Sequence, residues 1–158
     1  MAKILVINDI TYYSYADLED ADVYNNAIYG SNWSSLDPVV QSQLLVESTR
    51  VIDSRKYTGE KADPNQPLQF PRISASGKTS NEQILIDLCC KLAAYIYKNG
   101  SSSDGGSGDL LSALKEVKVG DFQVNLKDDV SLDLSGLDDF IEDALEDWLI
   151  SNSMQIWL

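Results

Sequence analysis

The sequence predicts a mainly α-helical protein, a small bundle of about four helices with one β-hairpin and extended terminal arms. Four segments carry apolar residues at helical spacing, and one shorter segment alternates apolar and polar residues around a Gly-Asp turn. Apolar residues make up 44% of the 158 residues, which is enough to form a core. We therefore expect one helical domain over residues 1–150, followed by a C-terminal arm at 151–158.

The first two helices are predicted from their start signals. Asp17 is a good N-cap for a helix that Gly30 would end, and Asp37-Pro38 combines a cap with a proline at the first helical position. The second helix is expected to end near residue 54 or 55. Residues 1–14 are rich in β-forming residues without a clear period, so we expect them to form an extended arm.

A long loop is predicted at residues 56–79, where most of the prolines lie. Within it, Phe70 precedes a proline and should therefore be extended, and the basic Arg72 follows. Loops of this length are uncommon inside compact domains and are usually functional. Two roles stay open for this pair: they pack the loop onto the fold, or they offer a rigid surface to a partner. Arg72 is expected to pair with carboxylates nearby.

The rest of the chain predicts two helices separated by a linker and a hairpin. Ser80 and Gln83 form a capping-box pair for a helix over about 81–98. A Gly/Ser linker at 99–109 and a β-hairpin at 115–127 follow. Ser135 caps a last helix over about 137–150. Its apolar stripe consists of Leu137, Phe140, Ile141, Ala144, Leu145, Trp148 and Leu149, and its opposite face carries six acidic residues.

No pattern in the sequence predicts a catalytic, cofactor or metal site. The chain has no histidine, and the "SGKT" at 76–79 lacks the earlier glycine of a phosphate-binding loop. Cys89 and Cys90 are adjacent, which disfavours a disulfide between them, so we expect small core residues. We conclude that an enzyme is improbable.

The net charge of −13 bears on the partners of the chain. It disfavours a free-standing nucleic-acid binder and an acidic lipid surface, and it suits a channel wall that DNA passes without sticking. The sequence contains no apolar segment long enough for a signal peptide or a membrane span, so synthesis in the cytoplasm is expected.

Four features in order resemble one family. They are "SYADLEDADVYNNAIYG" at 14–30, the W-x-x-L of Trp33 to Leu36, the Y-x-G and Q-x-L-x-F-P-R between Tyr57 and Arg72, and "KVGDFQV" before the last helix. Over about residues 10–150 the chain resembles the head–tail connector, or adaptor, proteins of tailed bacteriophages, which are often filed with single-stranded-DNA-binding proteins of primosome type. The family more often has Trp at the position of Phe70.

The resemblance implies a helical bundle that assembles as a ring beneath the portal, twelvefold to match it, in the virion at the head–tail junction. The implied partners are the portal, the tail or stopper proteins and other copies of the chain, while DNA passes through the lumen. It implies no catalysis and no cofactor. In such a ring, Phe70 and Arg72 are either the anchor of the loop or an inter-subunit contact.

The C-terminal arm carries the predicted portal contact. Its apolar residues are Met154, Ile156, Trp157 and Leu158, and the resemblance implies, by position, that such a segment docks in a groove between portal subunits. The alternative is that the arm folds back on its own helices. The alternative function for the whole chain is a single-stranded-DNA-binding or replication accessory protein, which would need a basic groove interleaved with aromatic residues.

Overall fold

Four helices make up about half of the described residues, as expected for a mainly α protein. The computed structural model describes residues 2–100 and 135–150. The helices are α1 (Leu18–Asn26), α2 (Pro38–Asp53), α3 (Glu82–Gly100) and α4 (Ser135–Leu145), with short 3-10 helices at Trp33–Ser35 and Glu146–Trp148. The strands are β1 (Lys3–Ile7), β2 (Ile10–Ser14), β3 (Glu60–Lys61) and β4 (Arg72–Ile73). The predicted mainly α class is confirmed.

The starts of α1 and α2 form as their capping residues predict. The Asp17 carboxylate accepts the Asp20 N–H at 2.9 Å, and the Asp20 side chain accepts the Asp17 N–H at 3.1 Å, which completes a capping box. Asp37 caps α2 by accepting the Val39 N–H at 2.8 Å. However, α1 ends at Asn26, four residues before Gly30, because tight turns over 25–31 redirect the chain and bring Trp33 into the core.

The capping box predicted at Ser80 is wrong. Asn81 takes the capping role, since its side-chain oxygen accepts the Gln83 N–H at 2.9 Å. Ser80 instead pairs with the loop, because its hydroxyl accepts the Arg72 N–H at 2.9 Å and its own N–H donates to the Arg72 carbonyl at 2.9 Å. The pairing of Ser80 with β4 therefore outweighs its local capping preference.

The N-terminal segment is a β-hairpin rather than an extended arm. β1 and β2 pair antiparallel, with Leu5 opposite Tyr12 and Ile7 opposite Ile10. Asn8 and Asp9 make the turn with φ values of 50° and 65°, the left-handed conformation that two-residue hairpins favour and that Asn and Asp tolerate. Leu5 and Ile7 are buried, and both strands contact α2. The segment differs from the expected arm because the inner face of its hairpin packs against α2.

The core lies between α2 and α3, with α1 and α4 packed on α3. Cys89 and Cys90 are both buried and free, as predicted for small core residues. The Cys89 sulfur lies 3.6 Å from the Thr49 hydroxyl and 3.8 Å from that of Ser14. Burial raises the pKa of the Cys89 thiol, so this sulfur stays protonated in the core.

Several predicted segments lie outside the described residues. These are the hairpin at 115–127, the C-terminal arm at 151–158 and the Gly/Ser linker at 99–109 apart from its first two residues, which end α3. In the part of the chain that the structure describes, no helix is both long enough and apolar enough to cross a membrane.

Candidate functional site

Phe70 lies at the centre of a cluster of aromatic rings. Its side chain is 2% exposed. The rings of Tyr57, Trp148 and Tyr15 meet it edge-on at centroid distances of 4.6, 6.0 and 6.4 Å, respectively. Edge-to-face pairs at such distances are attractive beyond the apolar area that they bury. The Phe70–Pro71 peptide bond is cis. The cluster joins the long loop to the end of β2 and to the segment after α4.

Two polar side chains hold the loop backbone beside Phe70. The Tyr15 hydroxyl accepts the Phe70 N–H at 3.1 Å and donates its own proton to the Asp53 carboxylate. The same carboxylate accepts the Gln69 N–H at 3.3 Å. Burial raises the pKa of the Asp53 carboxyl, and burial beside Asp53 raises the pKa of the Tyr15 hydroxyl. Tyr15 therefore remains a hydrogen-bond donor over the whole physiological range of pH.

The Arg72 side chain holds the start of the long loop, at residues 58 and 59, through backbone carbonyl oxygens. Its Nε donates to the Thr58 carbonyl at 2.8 Å, and its Nη2 donates to the Gly59 carbonyl at 2.7 Å. Its Nη1 donates to the side-chain oxygen of Gln69 at 3.0 Å. The expected pairing with carboxylates is not seen among the described residues, where the guanidinium donates to backbone carbonyls and to the Gln69 side chain instead.

The positions of Phe70 and Arg72 bear on the two roles left open for them. Both side chains are buried, with 2% and 8% of their surface exposed, and both make their contacts within the subunit. This burial agrees with the role of loop anchor, and the choice between the two roles stays a prediction. The sequence signal that marks the site, two prolines around an aromatic residue, reflects the need to hold an irregular segment on the core.

The last described residues run beside the start of the long loop. Tyr57 and Leu149 form an antiparallel bridge. The Thr58 N–H donates to the Trp148 carbonyl at 2.7 Å, and the Ile150 N–H donates to the Lys56 carbonyl at 3.2 Å. The predicted portal-docking residues, Met154, Ile156, Trp157 and Leu158, follow directly and lie outside the described residues. Their docking stays a prediction.

Most of the basic side chains in the described residues are engaged. Ion pairs join Lys3 to Asp17 and Asp20, Arg50 to Glu47, Arg55 to Asp138, and Lys78 to Asp147. Lys91 lies over the ring of Phe140, 4.1 Å from its centroid. A surface that binds phosphates needs several cations available along one groove. The contacts above lower the positive charge that the described residues offer to phosphates.

An open groove of about 700 Å³ lies between the end of α2 and α4. Its lining residues are Ser54, Arg55, Lys56, Asp138, Ile141, Glu142, Asp143, Glu146, Leu149 and Ile150. The four acids are all exposed, so they share one solvated environment. General acid–base chemistry instead needs carboxylates in contrasting environments. Among the described residues, no group of three or more His, Cys, Asp or Glu side chains could hold a metal ion.

The sequence reasoning missed an apolar surface on the N-terminal hairpin. Ile4, Val6 and Tyr13 are 60%, 63% and 49% exposed, and they lie on the side of the hairpin that faces away from α2. Two signals could have found it: the uninterrupted apolar run Ile4 to Ile7, and the Asn8-Asp9 turn that returns the chain beside it. We call Ile4, Val6, Thr11 and Tyr13 the outer face of the hairpin.

Comparison with known proteins assigns this chain to one family. The family model described as "Putative DnaT-like ssDNA binding protein" matches residues 7–155. The chain belongs to this family. All four described helices lie inside the matched span, as do the buried Phe70 and Arg72. No curated protein and no solved structure matches the chain.

Proposed function

We propose that this member of the DnaT-like family is a structural head-to-tail adaptor of a tailed bacteriophage. In this proposal, copies of the chain form a twelvefold ring beneath the portal in the virion. The ring joins the portal to the tail or stopper proteins, and DNA passes through its lumen without specific binding. The proposal starts from the resemblance of four ordered sequence elements to phage adaptors.

The pairing of the described cations carries the proposal. A net charge of −13, with ion pairs on Lys3, Arg50, Arg55 and Lys78, leaves an excess of carboxylates on the surface. Such a surface repels phosphates, as the wall of a DNA conduit should. It does not supply the cations that release counterions when a protein binds DNA.

The second candidate is a single-stranded-DNA-binding or replication accessory protein. The description of the family favours it, since it names single-stranded DNA. Single-strand binders combine a basic track with exposed aromatic rings on which bases stack. Tyr29 and Tyr13 are exposed rings of the described chain, but the chain carries a net charge of −13 and most of its described cations already have partners. The negative charge of the chain therefore disfavours this candidate, which needs a basic track.

Two measurements separate the candidates. In the first, the purified chain is mixed with the portal of a phage that encodes it, and the mixture is imaged by electron microscopy. An adaptor adds a ring of density below the portal. In the second, a fluorescent single-stranded oligonucleotide is titrated at low and at physiological salt. An adaptor leaves its anisotropy unchanged, whereas tight, salt-sensitive binding together with a bare portal would overturn the proposal.

Charge variants test whether any binding seen in the oligonucleotide titration is electrostatic. If an oligonucleotide does bind, Lys56→Glu or Lys61→Glu, each made alone, should weaken binding and lower its dependence on salt, because each phosphate contact contributes to the salt slope. The matched control is Lys3→Glu, a basic residue already paired with Asp17 and Asp20. Equal binding by all variants would show that the oligonucleotide signal is not electrostatic.

A further inference from the structure

The outer face of the N-terminal hairpin is an apolar surface without a partner in the described chain. The register places Ile4 opposite Tyr13 and Val6 opposite Thr11, so these four side chains project from one side of the sheet. Their neighbours Leu5 and Ile7 project from the other side and are buried. β1 is therefore apolar on both faces, while the described fold covers only one of them.

A strand that is apolar on both faces is typical of a sheet covered on both sides. In strands with one solvated face, polar residues alternate with apolar ones, and β1 lacks that alternation beyond Lys3. From the exposed fractions, Ile4, Val6 and Tyr13 present roughly 300 Å² of contiguous apolar surface, the size of patch that is often functional on a monomer. The edges of this two-stranded sheet also have no further strand beside them in the described residues.

The charge of the chain limits what can cover this surface. The outer face carries no acidic or basic side chain, although the chain as a whole carries −13. Two copies of so acidic a chain repel each other wherever carboxylates meet, so a charge-free surface is a favourable place for a close contact between copies. A nucleic acid would find no cation here, and an acidic lipid surface would be repelled by the surrounding protein.

We propose that a second copy of this chain covers the outer face of the hairpin. The proposal rests on the ring of the proposed function, and it names the surface by which each copy contacts its neighbour. A standard interface buries about 800 Å² on each partner, of which somewhat more than half is apolar. The outer face supplies most of that apolar share, and polar side chains around it supply the rim.

The test is the self-association of the intact chain, measured by sedimentation velocity over a range of protein and salt concentrations. Added salt screens the repulsion between copies and should promote assembly. Val6→Glu should weaken self-association about tenfold or more, because it places a charge in the centre of the contact. The matched control is Val23→Glu on α1, where a valine that is 73% exposed, against 63% for Val6, changes the net charge by the same amount.

A second variant distinguishes the loss of a contact from a defect in folding. Ile4→Thr combined with Val6→Thr keeps β-branched residues in the strand while removing apolar surface, and it should also weaken association with an unchanged circular dichroism spectrum. Equal assembly by Val6→Glu and Val23→Glu would overturn the hairpin contact while leaving the adaptor function standing. A chain that stays monomeric at every salt concentration, yet still forms a ring on the portal, would overturn the hairpin as the contact between copies while leaving the adaptor function standing.

Discussion

Replacing Phe70 with alanine tests whether the aromatic cluster holds the long loop. The side chain is 2% exposed and meets three aromatic rings edge-on, so the substitution leaves a cavity bordered by Tyr15, Tyr57 and Trp148. Truncation of a buried Phe to Ala costs about 3–5 kcal/mol, and the three lost ring contacts place this case in the upper half of that range. In a chain of 158 residues, that loss should lower the melting temperature by roughly 10–15 °C.

The assay combines a thermal melt with limited trypsin digestion. Lys61 and Lys78 lie in the long loop, so a loosened loop should be cleaved there before the helices are cut. The matched control is Tyr29→Ala, which truncates a fully exposed aromatic residue and should change the free energy of unfolding by less than about 0.5 kcal/mol. The role of the cluster would be refuted if the Phe70→Ala chain had the melting temperature of the wild type and were cleaved by trypsin at the same rate.

Three further predictions follow from other contacts. Arg72→Lys should lower the free energy of unfolding by about 1.5–3 kcal/mol in chemical denaturation, because a lysine cannot reach the Thr58 and Gly59 carbonyls together, whereas Arg50→Lys on the surface should have little effect. Burial raises the pKa of the Asp53 carboxyl in the fold, so the folded chain takes up a proton before the unfolded chain does. Stability due to this group should therefore increase as the pH falls from 7 towards the ordinary carboxyl range. Asp53→Asn should reduce that slope, and an unchanged slope would show that Asp53 does not titrate there. Deleting residues 151–158 should leave the melting temperature near that of the intact chain and abolish portal binding. A large fall in melting temperature, or full portal binding by the truncated chain, would contradict docking of the arm.

The helices could be predicted from the sequence because their signals are local. Asp17 and Asp37 cap helices whose apolar stripes recur at helical spacing, and both caps form as predicted. The errors arise where the local structure is determined by a contact with another element. Ser80 has the local pattern of a cap, but it pairs with Arg72, eight residues earlier in the chain. The N-terminal hairpin was missed because its buried residues are covered by α2, which periodicity within residues 1–14 does not reveal.

The candidate site was predictable in its residues but not in its contacts. The prolines around Phe70 indicate an extended and packed aromatic residue, and the structure buries it. Nothing local in the sequence, however, links Phe70 to Tyr15 or to Trp148, which lie 55 and 78 positions away. Similarly, a basic residue in an acidic chain suggests a carboxylate partner for Arg72. Its actual acceptors are carbonyls that become available only when the loop folds back on itself.

The long loop contacts both the segment that leads out of the N-terminal hairpin and the segment that precedes the C-terminal arm. Tyr15 follows β2 by one residue, so the hydrogen bond from Phe70 to Tyr15 helps to fix where the N-terminal hairpin leaves the core. On the opposite side, Thr58 and Lys56 bind the backbone of Trp148 and Ile150, which fixes where residues 151–158 begin. The same loop is thus hydrogen-bonded both beside the end of the hairpin and at the start of the C-terminal arm, so its conformation should affect the spacing between them. In a ring, that spacing would relate the contact between copies to the contact with the portal, so loosening Phe70 should impair both at once even though it touches neither.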